Sequence, residues 1–79
     1  MTMLMDVFIT LPGKIDSKAL REEVEAFKFN VTDSEVETCV HGRIDIREST
    51  IEHVLQSCYK YSVNGQVQVN ATRVNESSS

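Results

Sequence analysis

The chain predicts an α+β fold: a two-layer sandwich of ferredoxin-like order, β-α-β-β-α-β, with a four-stranded antiparallel sheet and two helices on one face. Three observations predict it. Apolar residues alternate with a period of two in four segments, they recur at helical spacing in two others, and the segments follow one another in that order. With 79 residues there is room for one such core, so residues 1–74 read as a single domain and 75–79 as a disordered polar tail.

In the first strand Met3, Met5, Val7, Ile9 and Leu11 share one face and Leu4, Asp6, Phe8 and Thr10 the other. Both faces carry apolar residues, which suits an inner strand. Pro12-Gly13 breaks the run, and Asp16 then caps a helix over Ser17 to Phe27, with Ile15 set to staple onto Leu20. Leu20, Val24 and Phe27 form its apolar stripe, and Arg21, Glu22, Glu23 and Glu25 are solvated.

From Phe27 to Val31 the two-residue period returns, and Thr32-Asp33-Ser34 supplies turn chemistry before an alternating run from Glu35 to Ile46. This reads as a hairpin; the rival reading makes residues 27–31 the end of the helix and a loop, leaving three strands. In the second arm Val36, Thr38, Val40, Ile44 and Ile46 face the core, while Glu35, Glu37, Cys39, His41, Arg43 and Asp45 face away. Gly42 marks a bulge or a close backbone approach.

Ser49-Thr50-Ile51-Glu52 has capping-box spacing and opens the second helix, whose stripe is Ile51, Val54, Leu55, Cys58 and Tyr59. Tyr61 is expected over the hairpin or a domain edge. Asn64-Gly65 makes a turn, and Gln66 to Val74 alternates again, with Val67, Val69 and Ala71 opposite Gln66, Gln68, Asn70 and Thr72. Right-handed crossovers then put the first and third strands in the middle of the sheet.

Eight Lys and Arg against twelve Asp and Glu give a net charge of −4, which disfavours nucleic acid as a partner, because phosphate binding rests on cationic side chains. No stretch approaches the ~18 apolar residues of a membrane span, and the first residues lack the pattern of a signal peptide. The expectation is a cytoplasmic protein with no membrane contact, in which the sequons at Asn30, Asn70 and Asn75 carry no meaning. Two cysteines are too few for a disulfide framework.

The sheet face turned from the helices is the expected site. It carries Leu4, Asp6, Phe8 and Thr10, then Glu35, Glu37, Cys39, His41 and Arg43, and at one edge Gln66, Gln68, Asn70 and Thr72. RNA-recognition modules use two or three aromatic residues on such a face. Here Phe8 stands alone, and Thr38-Cys39-Val40-His41-Gly42 lacks their aromatic-glycine-aromatic pattern. Cys39 and His41 point the same way and supply two ligands for a metal, where zinc needs three or four. A dimer axis could bring two such pairs together; His53 and Cys58 belong to the far side of the sheet. As a thiol and base the pair is ~6.6 Å apart along the strand, too far for a direct hydrogen bond. The one glycine and one lysine of Pro12-Gly13-Lys14 fall short of a phosphate-binding loop.

The function expected is therefore that of a small non-catalytic binding or regulatory module without a cofactor. It acts by homodimerisation or protein interaction, through the open sheet face or through the edge strand from Gln66 to Val74, which has no lysine or proline and only Arg73 as a charge. The alternatives are an RNA-recognition-like nucleic-acid-binding domain, or a metal or thiol site at Cys39 and His41.

Overall fold

The structure is a computed structural model that describes residues 4–45 and 49–74. Strand β1 spans Leu4–Pro12, helix α1 Ser17–Val24 with a 3₁₀ turn Glu25–Phe27, strand β2 Asn30–Asp33, strand β3 Glu37–Asp45, helix α2 Thr50–Tyr61 and strand β4 Gln68–Arg73. The strands form one antiparallel sheet in the order β2-β3-β1-β4. This is an α+β architecture of four strands and two helices. The expectations for Met3, Ile46 and the tail 75–79 lie outside the described residues.

Alternation along β1 puts Val7, Ile9 and Leu11 into the core, and β3 does the same with Thr38, Val40 and Ile44. Leu20 and Val24 of α1 and Val54 and Cys58 of α2 join them in one cluster, so both helices lie on that face. Asp16 caps α1 as its position implies: one carboxylate oxygen accepts from the Ala19 amide at 3.2 Å. Ile15, just ahead, packs against the cluster that holds Leu20.

Between α1 and β2 the chain turns through Lys28 at φ 66°, a left-handed helix stop that non-glycine residues seldom adopt. That turn drives Phe29 into the core, 2% exposed, while Phe27 stays at the surface of the cluster. Gly42 on β3 makes room for it. A Cβ there would lie 2.6 Å from the Phe29 ring, so Gly42 marks a close approach, and the β1–β3 register runs past it without a bulge. The second strand runs over residues 30–33 instead of 27–31, because Phe27 ends the 3₁₀ turn and the chain reverses through Lys28; it pairs with β3, which removes the three-stranded alternative.

Five expectations need correction. The hairpin turn lies at Ser34–Val36, later than Thr32-Asp33-Ser34, because Ser34 Oγ accepts from the Glu37 amide and donates to the Glu37 carbonyl. Glu35 and Val36 therefore belong to the turn, and the Val36 side chain is 71% exposed instead of in the core. Ser49 stands at the N-cap of α2 but its hydroxyl makes no capping bond; its ψ of 8° departs from the extended backbone a capping side chain needs. Tyr59 is 53% exposed. Helix geometry rotates it about 100° from buried Cys58, whereas Tyr61, three residues beyond Cys58, continues the stripe and packs on the cluster. Finally, all six residues of β4 are exposed, Val69 included, so the inner face of that strand has no helix over it.

Among the described residues no helix is long and apolar enough to cross a membrane.

Candidate functional site

Register places the expected face except for two residues: Glu35 lies in the hairpin turn and Gln66 ahead of β4. Asp6 lies opposite Arg43, Phe8 opposite His41 and Thr10 opposite Cys39, while Glu37 and Leu4 sit at the two ends, opposite Pro12 and Asp45. On the other side of β1, Gln68 faces Thr10 and Asn70 faces Phe8. Strand β2 adds Asn30 beside His41 and Thr32 beside Cys39. Thr32 was missed because the expected turn lay across it; Asn30 lay within the expected strand, but no face was assigned to that strand.

At the centre, Phe8 and His41 stack with ring centroids 4.2 Å apart and planes 10° from parallel. They are neighbours on adjacent strands, so the rings stand side by side and each turns one face to the other. A stacking platform for bases needs ring faces turned outward; here one face of the lone aromatic is already covered. Asp6 is paired with Arg43 at 3.0 Å and lies 3.8 Å from His41 Nε2. The hydrogen bond and charge of Arg43, with a smaller contribution from His41, hold the Asp6 carboxyl below its ordinary value. The centre of the face is thus an internally satisfied patch.

Cys39 is half-buried between Thr10 and Thr32, and Cys58 is fully buried in the helix layer; both are free thiols. Burial pushes the Cys58 thiol up to about 11, which keeps it protonated and unreactive at neutral pH. No group of three or more His, Cys, Asp or Glu comes together to hold a metal ion among the described residues. His41 is engaged with Phe8 and Asp6.

A second polar cluster joins the helices. Glu23, expected in solvent, accepts from Ser57 at 2.9 Å, from Lys60 at 3.2 Å and from the Tyr61 hydroxyl. Those donors, Tyr61 first, lower the Glu23 carboxyl, and the same contact raises Tyr61 and Lys60. Phe27 stacks on His53 beside it at 5.7 Å. The open groove here is lined by Glu23, Phe27, His53, Gln56, Ser57 and Lys60. With three donors on one carboxylate, the cluster clamps α1 to α2.

The remaining surface feature is the β4 edge. Among the described residues nothing pairs with its outer side. Because the Val74 amide donates to the Leu4 carbonyl at 3.0 Å, alternation directs the backbone of Gln68, Asn70 and Thr72 toward β1 and that of Val69 and Ala71 outward. Val69, 45% exposed, and Ala71 also turn their side chains to the uncovered inner face. Val63, 40% exposed, approaches the nearby end of β1 at Gly13. Comparison with protein-family models, with curated proteins and with solved structures gave no match to this chain.

Proposed function

We propose that this chain is a non-catalytic protein-interaction module of the ferredoxin-like kind, working by strand addition at the β4 edge. One observation carries the reading: β4 is an edge strand whose residues are all exposed, with outward backbone groups at Val69 and Ala71 and no lysine or proline to deter pairing. The expected open face contributes less, since its central side chains bond to one another and Phe8 is partly covered by His41. A net charge of −4 and that covered ring speak against nucleic acid. The two free thiols suit a reducing compartment such as the cytoplasm.

The test compares two variants by sedimentation and by recovery of co-purifying chains. Ala71→Pro removes an outward amide that the sheet does not use, and Phe8→Glu charges the open face. Assembly, with itself or with another chain, is expected to be lost in Ala71→Pro and kept in Phe8→Glu. The reverse pattern assigns binding to the open face, and a wild-type chain that assembles with nothing overturns the reading.

A further inference from the structure

We infer that the partner at this edge is a second copy of the chain, with β4 pairing antiparallel to β4 of its twin about a two-fold axis at Asn70. The inference rests on β4 being the interaction edge and adds the occupant and the register. A two-fold axis perpendicular to the sheet pairs residues that share a face, so their numbers must sum to an even value. Centred on Asn70, the axis sets Val69 against the twin's Ala71, Gln68 against its Thr72, and Asn70 against Asn70.

Each pairing suits its place. Val69 and Ala71 are the residues whose backbone groups point outward, so they form the hydrogen-bonded pairs of the new ladder. Their side chains cover each other on the inner face that no helix shields. On the opposite face an amide meets a hydroxyl, and two amides meet each other, each able to donate and to accept. Centring on Ala71 instead would set Val69 against Arg73. Each chain carries a net charge of −4, which opposes the association of two copies; β4 has no acidic residue, so at this edge two copies meet without bringing a carboxylate into the ladder. The product is one continuous eight-stranded sheet with an isologous interface.

Disulfide trapping reads the register. In a Cys39→Ser background, Asn70→Cys places two thiols in a non-hydrogen-bonded pair, where Cα atoms sit ~4.5 Å apart, within disulfide reach. Air oxidation should convert most of the 8.9 kDa chain to a species of twice that mass on a non-reducing gel. Gln68→Cys and Thr72→Cys alone should not link, because each lies roughly 13 Å from its own twin at ~3.4 Å per residue, but together they should. Linking by Thr72→Cys or Gln68→Cys alone overturns the register. If no variant links while Ala71→Pro still abolishes association with a co-purifying chain, the twin is excluded and the edge reading stands; if Ala71→Pro changes nothing, the edge reading itself fails.

Discussion

The two edges of the sheet are built in opposite ways. Strand β2 has four residues and is held down from several directions: Arg21 reaches from α1 to donate to the Val31 carbonyl at 3.2 Å, Ser17 donates to Asp33 at 2.6 Å, and Thr38 donates to the other Asp33 oxygen at 2.9 Å. Beneath it Val31 is buried and Phe29 fills the space that Gly42 leaves. Strand β4 is longer, exposed at every residue and without a helix over its inner side. An edge can be protected by covering it with the chain's own side chains, or left open for another strand. This chain does the first at β2, whereas among the described residues nothing pairs with the outer side of β4.

The deepest cut into the guarded edge is Phe29→Ala. Removing a 2% exposed aromatic ring should cost about 3–5 kcal/mol, which urea unfolding would show as a lower midpoint. For a domain stabilised by about 5–15 kcal/mol in all, that loss leaves little folded margin. Next comes Gly42→Ala, whose added methyl would stand 2.6 Å from the same ring. Overpacking of this kind costs about 1–3 kcal/mol, and since Phe29 must shift, the β2 amides should exchange with solvent sooner than those of β1. Equal exchange in both strands would show that Phe29 does not anchor the edge.

Acid offers a gentler lever. Donation by Ser17 first, then Thr38, with the charge of Arg21, lowers the Asp33 carboxyl from its ordinary 3.8. A carboxyl whose value is lower in the folded chain stabilises the fold fully above its unfolded value, and that contribution fades as pH falls through the folded one. Stability should therefore decline below about pH 4, and less steeply in Asp33→Asn, as thermal melts between pH 5 and pH 2 would record. Glu23, lowered by its bonds to α2, contributes a parallel decline that Asp33→Asn leaves in place. Parallel slopes for wild type and variant would mean that Asp33 does not pin β2.

How much of this was legible in the sequence differs between the edges for a physical reason. Period-two alternation depends only on the pleat, so β1, β3 and the part of the exposed face that they and β4 carry, from Asp6 to Asn70, could be read residue by residue. Asp16 and Ile15 act on near neighbours and were equally visible. What holds β2 could not be read this way. The left-handed turn at Lys28 is local but has no glycine to signal it, while the ring of Phe29 against Gly42 and Arg21 on Val31 join residues that only the tertiary arrangement brings together. The same limit hid Glu23, which looked like one more solvated acid until α2 brought Ser57, Lys60 and Tyr61 to it. On β4 the alternation of Val67, Val69 and Ala71 was plain, but alternation shows which residues share a face, and whether a helix reaches that face is decided elsewhere in the chain.

The smallest effect on stability belongs to the open edge, and it separates the two designs most sharply. Val69→Thr keeps β-branching and strand propensity while placing a hydroxyl at a site that is 45% exposed. Exposed substitutions of this sort change stability by no more than about 0.5 kcal/mol, so at high dilution the variant should unfold at the wild-type urea concentration. Raised to concentrations at which the wild-type chain associates, it should separate from it, because the methyl lost is one that would meet Ala71 of a twin. A stability loss on the scale of Phe29→Ala would mean that Val69 belongs to the core of the isolated chain. Unchanged association would mean that the inner face of β4 plays no part in pairing, whatever the backbone does.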